Sequence, residues 1–122
     1  MRIDIHSHLI PRCFWNAVAD KGSWYEATLE TVDGRDYINT RDRRAGPVEP
    51  NWRNTLEERI EDMDSQGVDM QLLSPAPYFS NYHLDIEDAL AASRELIDET
   101  ASAVREYPKR LSGLATVPLQ DV

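Results

Sequence analysis

An α/β fold with parallel strands is predicted by three features of the sequence. Short strand-like apolar runs recur at residues 2–8, 68–74 and 112–117, amphipathic helical patterns separate them, and turn residues mark each change of period. Strands alternating with helices imply parallel pairing through right-handed crossovers, with the helices covering the sheet. The 122 residues suffice for one small domain with its own core.

The first strand, Arg2 to His8, contains Asp4-Ile5-His6-Ser7-His8. Alternate side chains of a regular strand share a face, so Ile3 and Ile5 should pack against helices while Asp4, His6 and His8 face the other side. Two of the chain's three histidines then stand side by side. Paired neutral imidazoles suit zinc and neighbouring transition metals. The same alternation also describes a half-exposed edge strand that turns polar residues to water. A catalytic zinc takes about three protein ligands, so further donors must come from elsewhere.

Pro11 ends the strand, and a short helix is expected around residues 14–20. The polar stretch from Gly22 to Pro50 reads as an inserted loop. Thr28, Thr31 and Val32 precede Asp33-Gly34, and Tyr37, Ile38 and Thr40 follow it, which predicts a hairpin whose turn needs positive φ. The cluster Arg41, Arg43 and Arg44 is a candidate anion site or a solvated loop. Leu56, Ile60 and Met63 predict a helix lying against the sheet, opened by a capping box at Thr55 and Glu58 and closed by Gly67. The second strand, Val68 to Ser74, leads into a loop bearing Tyr78, Phe79, Tyr82 and His83. Asp85 caps a long helix whose inward stripe is read as Ile86, Ala89, Leu90, Ile97, Ala101 and Val104. It should stop at Tyr107, before Pro108, and the third strand should run from Ser112 to Val117.

Thirteen Lys and Arg against 22 Asp and Glu give a net charge of −9, which repels nucleic acid and anionic membrane surfaces. The single cysteine, Cys13, allows no intrachain disulfide and reads as a small buried apolar residue. With no apolar run of signal-peptide or membrane-spanning length, a cytoplasmic location is expected.

The segments "IDIHSHLIP", "RIEDMDSQGVDMQLLSPAP" and "YPKRLSGLATVPLQD" resemble, in order and spacing, the amino-terminal portion of the amidohydrolase-related (amidohydrolase 2) family of the aminocarboxymuconate-semialdehyde decarboxylase type. Met63-Asp64, Gly67-Val68-Asp69 and Ser74-Pro75-Ala76-Pro77 favour this family over other barrels that begin with His-x-His. The resemblance implies a partial (β/α)8 TIM barrel: the first three parallel strands with their helices, and a hairpin-bearing loop after strand one. A complete barrel takes about 250 residues, so residues 1–122 are expected to be the amino-terminal part of one barrel domain. A truncated product, a fragment and one piece of a split protein all fit.

Barrel active sites lie at the carboxyl ends of the strands. The resemblance therefore implies His6 and His8 as ligands of a divalent metal, zinc foremost, with further ligands on later strands. It implies a small carboxylate substrate, for which Arg41, Arg43, Arg44, Tyr78 and His83 are the candidate contacts. Ile38 aligns where the family carries a carboxylate-binding arginine, so Arg35 or one of the arginine cluster would have to replace it. Trp52 matches a packing position. The expected function is metal-dependent, non-oxidative decarboxylation of an unsaturated or aromatic carboxylic acid, with the 122-residue chain alone inactive. One alternative is hydrolysis of an ester, lactone or amide. The other is a non-catalytic partial barrel that associates with a complementary chain or with itself.

Overall fold

The structure, a computed structural model, describes residues 1–120. In chain order the elements are β1 (Ile3–Leu9), α1 (Arg12–Val18), β2 (Ser23–Trp24), β3 (Ala27–Val32), β4 (Arg35–Asn39), β5 (Arg44–Ala45), α2 (Leu56–Gln66), β6 (Met70–Pro75), α3 (Ile86–Glu106) and β7 (Leu111–Gly113). β1, β6 and β7 form a parallel sheet in that order. Parallel strands that neighbour one another in sequence order, with α2 and α3 as crossovers, are the opening of a (β/α)8 barrel.

Local signals place α2. The Thr55 hydroxyl accepts the Glu58 N–H at 3.2 Å, the Glu58 carboxylate accepts the Thr55 N–H at 2.8 Å, and Gly67 ends the helix at φ 67°. Met63 is buried with Leu73, Leu111 and Ala103, and Leu56 and Ile60 pack around them. The predicted helical phase of α2 therefore matches the structure.

In α3 the phase is different. Ala89, Ala92, Ser93, Leu96, Thr100 and Ala103 are buried, whereas Leu90 and Ile97 are exposed. The buried positions keep a 3.6-residue period but are mostly small: Ala89, Ala92 and Leu96 pack in the core of Phe14, Trp24 and Phe79, while Ala103 packs with Leu73 and Leu111 and Thr100 approaches the sheet closely; the bulkier aliphatic residues fall beside these contacts. At Gly113 an added Cβ would lie 2.6 Å from the Thr100 methyl, a measure of that approach. The third strand is also shorter than predicted. The Leu114 N–H still reaches the Leu73 carbonyl at 2.8 Å, but β6 ends at Pro75, whose nitrogen has no hydrogen to donate. Leu114, Val117 and Leu119 are exposed.

The insertion after β1 is more than a hairpin. Asp33 and Gly34 have φ of 51° and 74°, the positive values a tight two-residue turn requires. They join β3 to β4 in an antiparallel sheet of order β2-β3-β4-β5. Ile38 is fully buried there, in one core with Phe14, Trp24, Ala27 and Phe79. Glu95 of α3 fastens the sheet, accepting Trp24 Nε1–H at 2.7 Å and the Tyr25 hydroxyl at 2.9 Å.

Burial, and then Glu95, push the Tyr25 phenol up to about 12 from its ordinary 10.0. Burial alone takes Tyr78 to about 12 from the same value. Raised folded values mean that the unfolded chain ionises first. This contribution to stability is whole below pH about 10 and is lost as pH rises from about 10 through about 12. Denaturant unfolding across that window should show a shallower decline for Tyr25→Phe and Tyr78→Phe than for the unsubstituted chain; equal slopes would refute the assignment.

No side chain within α1 caps its start. Instead Glu99 of α3 accepts the N–H groups of Arg12 and of Cys13, the latter at 3.0 Å. Cys13 is half-buried. Burial first and Glu99 second push its thiol far above the ordinary range, so it remains a protonated packing group and a poor metal ligand. Among the described residues no helix is long and apolar enough to cross a membrane.

Candidate metal centre

β1 departs from regular alternation. Asp4 lies opposite Gln71 and Ser7 opposite Leu73, three residues of β1 spanning two of β6. That mismatch is a β-bulge, which changes the face on which later residues lie. Leu73 faces the helices, so Gln71, Asp4 and Ser7 face them too, while His8, opposite Ser74, faces away. The bulge overturns the predicted faces of Asp4, Ile3 and Ile5. Asp4 lies on the helix side, and the isoleucines stand 51% and 75% exposed rather than against helices.

The bulge nevertheless leaves the two imidazoles together. Their ring centroids are 5.0 Å apart in an edge-to-face arrangement, His6 exposed and His8 half-buried. Several contacts fix the backbone beneath them. Asp4 Oδ1 accepts the His6 N–H at 3.0 Å, and Asp4 Oδ2 accepts Gln71 Nε2–H at 3.1 Å. Arg59 of α2 donates to Ser7 Oγ at 2.9 Å, to Gln71 Oε1 at 2.9 Å and to the His8 carbonyl at 3.0 Å. Burial lowers the Arg59 pKa from its ordinary value, and Asp4 and Asp62 oppose that shift.

A cleft of about 370 Å³ opens beside the pair, with Asn51, Trp52, Arg59 and Tyr78 in its wall. Tyr78 is stacked on Trp52, with centroids 6.2 Å apart and planes 23° from parallel. Of the other candidate contacts, Arg41, Arg43, Arg44 and His83 lie outside this cleft. Arg41 pairs with Glu26 and donates to the His83 carbonyl at 2.9 Å. His83 Nε2 stands 3.7 Å from the same Glu26. Arg44 pairs with Glu30 at 3.2 Å and lies over the Tyr37 ring, and Arg43 is exposed.

Sequence reasoning passed over Arg59, Gln71 and Ser74. A signal existed for the first: Arg59 falls three residues after Leu56 and four before Met63, within the helical stripe that meets the sheet.

The donor chemistry fits a divalent ion in part. Two adjacent imidazoles suit zinc or a neighbouring metal, but among the described residues no group of three or more His, Cys, Asp or Glu comes together.

No family model matches the chain. It is 28% identical, over 98% of its length, to 2-amino-3-carboxymuconate-6-semialdehyde decarboxylase of Dictyostelium discoideum, and 30% identical, over 99%, to the enzyme of that name from Caenorhabditis elegans. It spans 33% and 30% of the length of these relatives. A crystal structure from Staphylococcus aureus, assigned as an amidohydrolase, superposes with a TM-score of 0.58 at 18% identity, covering 98% of this chain and 29% of that one; this likeness carries the fold alone. With the three parallel strands in barrel order and both matches running nearly end to end along it, the chain is similar throughout its length to a part, about a third, of these two decarboxylases.

Proposed function

We propose that this chain supplies the first metal-binding strand of a metal-dependent enzyme, and that the reaction is non-oxidative decarboxylation of an unsaturated or aromatic carboxylic acid. The observation that carries the reading is the His6 and His8 pair on one face of a parallel strand, beside a cleft. The names of the two relatives support the choice of decarboxylation. A bound divalent ion would supply Lewis acidity, drawing electron density from the substrate as carbon dioxide leaves.

The chain's own residues do the rest. His6 and His8 hold the ion, with zinc the first choice. Arg59, Gln71 and Asp4 keep the bulged strand from relaxing. Trp52 and Tyr78 form a flat wall suited to a planar conjugated substrate. Ile38 is committed to the core, so a carboxylate-binding arginine must be another one. Arg43, for which no ion pair is found among the described residues, is the freest of the cluster Arg41, Arg43 and Arg44. Any role for Arg41 or His83 requires opening their contacts with Glu26.

Hydrolysis of an ester, lactone or amide is the second reading, because the same metal chemistry activates water. Ile3, Ile5 and Leu114 are exposed around the parallel sheet, and these favour a third: a partial barrel that associates with a complementary chain or another copy of itself.

Zinc titration of the chain tests the first step. Both imidazoles should respond together in histidine-detected NMR, and His6→Ala or His8→Ala should weaken binding about tenfold or more, as loss of a ligand or its support does, while His83→Ala leaves it unchanged. Equal zinc affinity in all four forms would end the metal reading. With two ligands the chain alone should show no turnover. Supplied with the polypeptide that carries the remaining ligands, it should release carbon dioxide from a carboxylate; cleavage of esters or lactones with carboxylates untouched would move the assignment to the hydrolase.

A further inference from the structure

We propose that Ser74 is a positioning residue that holds His8 in the tautomer protonated on Nδ1, leaving the Nε2 lone pair free for an ion; the inference rests on the metal-binding reading above. A serine hydroxyl has one hydrogen and two lone pairs. Ser74 Oγ has two partners, the Ser7 carbonyl oxygen at 3.3 Å and His8 Nδ1 at 3.0 Å. A carbonyl only accepts, so the two contacts are hydrogen bonds at once only when the hydroxyl hydrogen goes to Ser7. Oγ then turns a lone pair toward His8, and that contact is a hydrogen bond only if Nδ1 carries the hydrogen. Neutral imidazole has one N–H. Nε2 is therefore bare, and a bare ring nitrogen is what a metal requires.

The arrangement is built into the sheet. Ser74 stands opposite His8 in the parallel ladder, so the two backbones set the distance between them. Ser7 is held in turn by the Arg59 guanidinium on its hydroxyl. The His6 ring lies against His8 at 5.0 Å and limits its rotation. Ser74 thus links the second strand to the orientation of a ligand on the first without itself reaching the ion.

The test reads the tautomer directly, in the metal-free chain. Two-bond 15N–1H correlation spectra at pH about 8.5, where imidazole is neutral, should show His8 protonated on Nδ1. Ser74→Ala should transfer most of the population to Nε2–H, and Ser74→Thr, which keeps the hydroxyl, should restore Nδ1–H. Zinc affinity should fall about tenfold in Ser74→Ala, the usual cost of losing a group that orients a ligand, and recover in Ser74→Thr. His8 protonated on Nε2 in the unsubstituted chain would overturn the proposal, as would a tautomer unmoved by Ser74→Ala in a variant whose circular dichroism is unchanged. A tautomer switch alongside zinc binding indifferent to His6→Ala would uphold the hold of Ser74 on His8 and overturn only the metal reading.

Discussion

Replacing Arg59 with methionine should cost the fold about 2–4 kcal/mol, because three hydrogen bonds from a charged donor disappear at once and each contributes on the order of 1.5–3 kcal/mol with incomplete additivity. Methionine keeps most of the apolar stem, so the loss isolates the guanidinium from packing. The acceptors left behind are Ser7 Oγ, Gln71 Oε1 and the His8 carbonyl, all at the junction of β1, β6 and α2. Asp4 also loses the nearby positive charge that offsets its own. Urea denaturation measures the effect, and Arg59→Lys should fall between the two, since an ammonium reaches fewer of these acceptors in the planar geometry a guanidinium offers. A loss below about 0.5 kcal/mol, the usual range for a surface change, would show that Arg59 does not brace the strand.

Phe14→Ala should cost more, about 3–5 kcal/mol, the range for removing a buried phenylalanine. Phe14 is fully buried. Its ring lies 5.0 Å from those of Trp15 and Phe79 and 6.5 Å from that of Trp24, so one side chain joins α1, the antiparallel sheet and the loop after β6. Thermal unfolding followed by tryptophan emission measures the loss. If the midpoint fell by only a degree or two, the cluster would have to tolerate collapse around the missing ring.

Where the signal is local, the sequence and the structure agree. Thr55, Glu58 and Gly67 bound α2 by hydrogen bonds and backbone angles within a few residues, and Asp33-Gly34 makes its turn in the same way. Where a partner distant in sequence decides, they diverge. Nothing between Arg2 and His8 announces that β6 will pair Asp4 with Gln71 and Ser7 with Leu73, yet that pairing turns Asp4 to the helices and exposes Ile5. In α3 two stripes compete, and the one with the larger aliphatic residues loses because the buried stripe meets large aromatic rings in its first half, at Ala89 and Ala92, and β7 closely in its second, at Thr100. The histidine pair was legible because His-x-His survives the bulge, which falls before Ser7. The contacts of Ser74 and Arg59 were not, because each reaches residues 50 or more positions away.

The same register has a consequence for the order in which the molecule takes shape. The β3–β4 turn and the capped helix α2 close contacts between near neighbours and can form as soon as their residues are free to move. β1 cannot: its bulge exists only once Gln71 and Leu73 are present to define it, and the Asp4–Gln71 hydrogen bond closes a separation of 67 residues. In synthesis from the amino terminus, His6 and His8 precede the insertion and α2, and they wait, unpaired and without a defined face, until β6 has been made. Their alignment is thus among the later events of folding, and the rate at which it appears should follow the arrival of β6.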